Sequence, residues 1–219
     1  MSVRAVIFDR DGVLTHFDIK MAIAFFEPLL PLSMEQLSQR WKQWGKLVGF
    51  PRSLTEEKRF FHGLWDHLSD ELGLSHAKRK QLHQFNYTKL IRPFPDARPM
   101  LLEAKQRGLL IGVLSNFSLA SLDASLVAAG LADLVDIACA APVIGVAKPD
   151  PKSYLSVTDA LSVQPEECLF FDDEMPCVKG GRAVGIRSYL VDRNRSEHAI
   201  SQDIVCDLSA LPTILSYIE

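Results

Sequence analysis

The chain has 219 residues, long enough to bury a sizeable core without disulfides or structural metals, and its 47% hydrophobic and 23% charged residues sit at globular averages. That composition excludes a disordered or collagen-like chain. The 24 Lys plus Arg and 27 Asp plus Glu are interspersed and leave a net charge of −3, which argues against a nucleic-acid partner held by a large basic surface but leaves room for a local anion pocket.

The N-terminus enters an apolar run, Val3–Phe8, that predicts a strand; it lacks the apolar region and cleavage site of a signal peptide. No apolar stretch approaches the ~20 residues needed to span a bilayer. The expectation is a soluble, cytoplasmic protein with no membrane partner. The first strand ends in Phe8-Asp9-Arg10-Asp11-Gly12-Val13-Leu14-Thr15. Two carboxylates flank one residue there, and glycine lets the chain turn away sharply. Such a pair can ligate a hard cation or attack phosphorus, or simply make a turn. A calcium loop fits poorly, because Lys20 stands where the loop's closing Glu belongs.

From about Asp18 to Ile91 the apolar residues recur at helical spacing and nothing reads as a strand. Leu37, Trp41, Trp44 and Val48 share one face; Phe60, Phe61, Leu64, Trp65, Leu68 and Leu72 share another. Ser33-Met-Glu-Gln and Ser53-Leu-Thr-Glu read as capping boxes, with Gly49 and Gly73 at helix ends. A bundle of about four helices is expected, with the three tryptophans in its core. Leu14–Phe17 and Arg92–Asp96 flank it as hinge segments. Arg52, His62, Trp65, His67, Lys78 and Arg79 could face a substrate or lie on solvated faces, and sequence does not choose between them.

Beyond the bundle, strands at Leu109–Leu114, Leu134–Cys139, Cys168–Phe171 and Ile186–Val191 alternate with helices near Arg98–Arg107, Leu119–Ala129, Pro151–Leu161 and Pro176–Val184. This alternation predicts a mainly parallel sheet covered on both faces. After Leu114 comes Ser115-Asn116, suited to holding phosphate oxygens or to starting a helix. In Lys148-Pro149-Asp150-Pro151, capping explains Asp150 and Pro151 but not Lys148. After Phe171, the adjacent carboxylates Asp172 and Asp173 repel and imply a cation nearby. Cys139, Cys168, Cys177 and Cys206 form no CxxC and no zinc-like spacing with histidine. Gly180-Gly181 inside a predicted helix suggests close packing on the sheet.

Asp-x-Asp-Gly, Ser-Asn, Lys-Pro-Asp-Pro and Asp-Asp, in this order and each after a strand, resemble the four motifs of the haloacid dehalogenase-like hydrolases, over essentially the whole chain. The resemblance implies a Rossmann-like α/β core at 1–16 and 93–219, with an all-α, four-helix cap of the C1 type inserted at 17–92. It implies Asp9 as nucleophile, forming an aspartyl-phosphate and ligating Mg²⁺. It also implies Asp11 as acid and base, with its main-chain carbonyl on the metal. Ser115 and Asn116 would hold the phosphoryl group, Lys148 would offset the charge on Asp9 and phosphate, and Asp172 with Asp173 would complete the metal site. Members that cleave carbon–halogen bonds look different at the Asp11 position and need neither the acid nor magnesium. The implied activity is Mg²⁺-dependent hydrolysis of a small-molecule phosphomonoester. A phosphomutase and a non-catalytic sensor of a phosphorylated ligand are the alternatives, and Leu14-Thr15-His16-Phe17-Asp18 matches the mutase pattern poorly. Arg10 is a departure, standing where an apolar residue is commoner. Neither substrate nor oligomeric state is legible.

Overall fold

The computed structural model describes residues 2–217. Its main sheet has six parallel strands in the order β5-β4-β1-β6-β7-β8. These are β1 (Ala5–Phe8), β4 (Leu110–Ser115), β5 (Ile137–Ala140), β6 (Cys168–Asp172), β7 (Arg187–Val191) and β8 (Ile204–Val205). Residues alternate between the two faces. Val6, Phe8, Ile111, Val113, Leu169 and Phe171 join one apolar cluster, whereas Ala5, Ile7, Leu114, Cys168 and Phe170 join another. Both faces are therefore buried, which is why these strands are nearly uninterrupted apolar runs.

Helices α5 (Ala97–Gln106), α6 (Leu122–Ala128), α7 (Ala141–Ile144), α8 (Pro151–Leu161), α9 (Met175–Ala183) and α10 (Leu211–Ser216) cover the sheet. Gly180 and Gly181 lie in α9. A Cβ on Gly181 would sit 2.5 Å from Ser188 Oγ and 3.0 Å from Phe170, and one on Gly180 would sit 2.8 Å from Pro149 Cβ. Close packing accounts for both glycines. The strand expected at Leu134–Cys139 starts three residues later, at Ile137. Leu134 and Val135 instead fold into turns, with their N–H groups donating to the carbonyls of Leu131 and Ala132.

After β1 the chain forms a short strand β2 (Thr15–Phe17), which pairs antiparallel with β3 (Ile91–Pro93), matching His16 to Arg92. The two segments expected as hinges are thus joined in a ribbon, and Ile91, at the end of the expected all-helical stretch, is one of its strand residues. Between them lie α1 (Ile19–Phe26), α2 (Met34–Val48), α3 (Leu54–Glu71) and α4 (His76–Leu82). Ser33 makes a complete capping box with Gln36. At Ser53 the box is half made, because Glu56 accepts from the N–H of Arg52 instead. The four helices enclose a separate apolar cluster that includes Phe26, Leu64, Trp65, Leu68 and Leu82. The helical layer touches the sheet layer through Glu57 on α3, which accepts from both the N–H (2.9 Å) and the hydroxyl (2.6 Å) of Ser121 ahead of α6. No helix among the described residues is long and apolar enough to cross a membrane.

Candidate active site

In the sheet order, β1 has later strands on both sides: β4 and β5 on one, β6, β7 and β8 on the other. The crevice at such a switch point, outside the carboxyl ends of the strands, is where open α/β sheets bind ligands. Asp9 is the first residue past β1, its N–H held by the carbonyl of Phe171 at 2.8 Å. Ser115 closes β4 and Asp172 closes β6. Parallel pairing in register brings these side chains to one end of the sheet.

Lys148 completes the group. Its Nζ donates to Asp9 at 2.7 Å and to Asp172 at 2.6 Å, and all three residues are buried. The lysine reaches this point because Asn116 clasps its backbone. The Asn116 amide donates to the Lys148 carbonyl at 2.9 Å and its carbonyl accepts from the Lys148 N–H at 2.8 Å. Asn116 is therefore at the site with its side chain engaged by Lys148. The Ser115 hydroxyl is buried beside it and accepts from the N–H of Phe117.

The charges do not balance locally. Burial raises Asp9 to about 7 despite Lys148, with the Asp172 charge adding to the rise. Burial likewise raises Asp172, against the pull of Lys148. Asp173 is raised to about 6 by burial and by Asp172. Lys148 loses stabilisation by burial but is held above its ordinary value by Asp9 and Asp172. One ammonium serves three carboxylates, a group short of positive charge.

Asp9, Asp172 and Asp173 each present a carboxylate oxygen, and these atoms lie within 4.8 Å of one another. An all-oxygen, acidic donor set suits a hard divalent cation such as Mg²⁺. Gly12 keeps the space open. Its φ is +77°, and a Cβ there would overlap the Asp173 carboxylate. The residues present fit such an ion.

The Asp11 carboxylate lies apart from that trio. Arg10 donates to it through Nε at 3.2 Å and through a terminal nitrogen, while its other terminal nitrogen donates to Ser125 Oγ at 3.0 Å. Arg10 is only 1% exposed, with its guanidinium 3.8 Å from the centre of the Phe117 ring. Its departure from the apolar pattern thus holds Asp11 in place at the mouth of the cleft. Arg193, just after β7, performs a similar service for the loop. It donates to the carbonyls of Gly12 and Val13 and forms two bonds, each 3.0 Å, to Asp96, with its guanidinium carbon 3.6 Å from the centre of the Phe94 ring.

Sequence reasoning did not single out Arg193, although Asp192-Arg193-Asn194 is a polar run directly after a strand, the position that yielded the other site residues. It also missed Trp41. Trp65 is 3% exposed in the helical core, but Trp41 is only half-buried and lines the candidate cleft together with Asp9, Ser115, Phe117 and Lys148. The other candidates on the helices lie elsewhere. His62 packs against His83, His67 stacks on Trp44, and Arg79 pairs with Asp66 and Asp70. Lys78 lines a hollow beside Gly73, and Arg52 is an exposed residue ahead of α3. Among the described residues none of these five lines the cleft.

Comparison with known proteins bears on the family and the fold. The family model described as haloacid dehalogenase-like hydrolase matches residues 3–185. The chain is 41% identical over 216 residues to a protein named Phosphatase MT3486 from Mycobacterium tuberculosis (strain CDC 1551 / Oshkosh), covering 98% of each chain. It is 28% identical to (S)-2-haloacid dehalogenase 4A from Burkholderia cepacia, covering 88% of this chain and 84% of that one. Among solved structures, a HAD phosphatase from Thermococcus onnurineus superposes with a TM-score of 0.64 at 21% identity, covering 97% of this chain and 98% of that chain, which speaks to the fold alone.

Proposed function

The chain belongs to the haloacid dehalogenase-like hydrolases, and on that premise we propose that it is a phosphatase that hydrolyses a small-molecule phosphomonoester through an aspartyl-phosphate on Asp9. The observation that carries this reading is the buried Asp9–Lys148–Asp172 group with Asp173 beside it, a set of carboxylates arranged around a deficit of positive charge. A phosphoryl dianion and an anionic nucleophile repel, so a site for this reaction must supply cations before it can supply reactivity. The 41% identity to a protein named a phosphatase points the same way.

Asp9, Asp172 and Asp173, with the Asp11 main-chain carbonyl, would hold Mg²⁺, which when bound would screen the charge between nucleophile and phosphate. Asp9 attacks phosphorus, forming a carboxyl O–P bond as the ester P–O bond breaks. Lys148 neutralises charge on Asp9 and the transferring group, and the Ser115 hydroxyl donates to a phosphoryl oxygen. Asp11, protonated on one oxygen and keeping only one of its Arg10 contacts, gives its proton to the departing alkoxide. It then takes a proton from water as the water oxygen bonds phosphorus and the Asp9 O–P bond breaks, releasing inorganic phosphate. The helical insert acts as a cap that keeps bulk water from the acyl phosphate.

Relatives named haloacid dehalogenases raise a second reading, in which Asp9 displaces halide from carbon. Asp11 and the three-carboxylate set favour phosphoryl transfer, since halide displacement requires no acid and no cation. The test is a panel of phosphate esters and (S)-2-haloalkanoic acids, with phosphate and halide release read with and without Mg²⁺. Mg²⁺-dependent phosphate release is expected. Halide release alone would replace this reading with the second, phosphate retained on a rearranged product would make the chain a mutase, and binding without turnover would make it a sensor.

A further inference from the structure

A cavity of 380 Å³ lies between the helical insert and the sheet, walled by Leu37 and Trp41 of α2, Phe61 and Trp65 of α3, and Tyr87 and Phe117 of the chain below. The hollow opens to solvent past Phe17, Ile19 and Ser38, which are exposed at its rim. Among the described residues that line it, polar side-chain atoms come only from the Ser38 and Tyr87 hydroxyls and the Trp41 and Trp65 indole N–H groups, and the rest of the lining is aliphatic or aromatic. The chamber borders the cleft that holds Asp9, with Trp41 and Phe117 in the lining of both. Its floor is a stack of aromatic and cationic groups. The Phe117 ring stacks on Tyr87 with centroids 4.8 Å apart, and the Arg10 guanidinium, itself buried, lies over Phe117.

We propose that this chamber is the subsite for the leaving group, and that the preferred substrates are phosphomonoesters of apolar alcohols, aryl or medium-chain alkyl, rather than of sugars or nucleosides. This rests on the phosphatase reading for the head group. The phosphate sits among Asp9, Ser115 and Lys148, and the ester carbon passes between Trp41 and Phe117 into the chamber. An apolar cavity of about 150 Å³ takes up benzene, so this one accommodates a group of about six to twelve carbon atoms. A polyhydroxylated leaving group would strip its hydroxyls of water against aromatic walls and find almost no partners there. A ring or alkyl chain would instead exchange water for rings it can pack against.

The experiment has two arms. In the first, n-alkylphosphonates from ethyl to octyl, which carry no ester bond to hydrolyse, are titrated against the wild-type protein by calorimetry and by tryptophan fluorescence. Affinity is expected to rise about three- to fourfold per methylene until the chamber fills, with Trp41 and Trp65 emission shifting as it does. In the second, kcat/KM is measured for the matching alkyl phosphates, phenyl phosphate and glucose 6-phosphate, and is expected to climb with the same series and to be lowest for the sugar. Ser38→Trp, an exposed α2 position whose new ring would occupy the chamber, should flatten both series. Length-independent phosphonate affinity, or equal turnover of sugar and alkyl esters, overturns the subsite. Length-dependent phosphonate binding without hydrolysis of any ester supports the chamber and overturns the phosphatase reading alone.

Discussion

Arg10 donates to the carboxylate of its own chain neighbour, Asp11, from two guanidinium nitrogens, so an almost fully buried cation holds a half-exposed anion at the mouth of the cleft. The Ser125 hydroxyl and the Phe117 ring fix the guanidinium from its other sides. The fork-shaped, always-charged guanidinium gives Asp11 a defined direction that a lysine would not.

Arg10→Met retains much of the packing over Phe117 while freeing Asp11. General acid–base groups contribute about 10²–10⁴-fold, and misaiming one is expected to cost about tenfold or more in kcat for alkyl phosphates. p-Nitrophenyl phosphate, whose leaving group needs no proton, should lose about threefold or less. Comparing the two substrates separates positioning of the acid from general damage, which would lower both alike.

Lys148→Met leaves Asp9 and Asp172 facing each other in a buried site. Removing one partner of a buried ion pair costs about 3–5 kcal/mol, so the urea midpoint should fall accordingly. Adding Asp172→Asn should restore part of that stability, because one uncompensated charge is removed, without restoring turnover.

Gly12→Ala forces a left-handed backbone position onto an L side chain and drives a methyl group into the Asp173 carboxylate. The strain is expected to cost about 1–3 kcal/mol. The displaced carboxylate should raise the Mg²⁺ concentration needed for half-maximal thermal stabilisation about tenfold or more. A metal titration of the melting temperature reads both.

Arg193→Met removes the bonds that tie Gly12 and Val13 to Asp96 across the base of the ribbon. Charged hydrogen bonds contribute about 1.5–3 kcal/mol, and a loss of about 2–4 kcal/mol in unfolding free energy is expected. Proteolytic cleavage near residues 92–96 should appear in the variant before it appears in the wild type.

The strand-end motifs were legible because parallel strands declare themselves as short apolar runs, and the polar residues that follow can sit at only one end of the sheet. Asp9, Ser115 and Asp172 were found that way; Lys148, which follows α7 rather than a strand, stood out because helix capping explains its neighbours and not it, and all four converge in the fold. Trp41 was hidden because an aromatic at helical spacing signals burial, not what it is buried against. Helical period places it on the inner face of α2, and only the tertiary structure shows that this face overhangs the cleft. Arg10 was visible as an anomaly but not as a clamp, since its partners Ser125 and Phe117 lie more than a hundred residues away. The ribbon between Thr15–Phe17 and Ile91–Pro93 escaped because three-residue strands carry too little alternation to register.

If Asp9 is the nucleophile, its acyl phosphate can be trapped. The protein would be mixed with a turned-over ester and Mg²⁺, quenched in acid within the first turnover, and its peptides weighed. One added phosphoryl group is expected on the peptide that carries Asp9, with neither adduct nor phosphate release from Asp9→Asn. A phosphoryl group on any other residue, or wild-type turnover by Asp9→Asn, would contradict it.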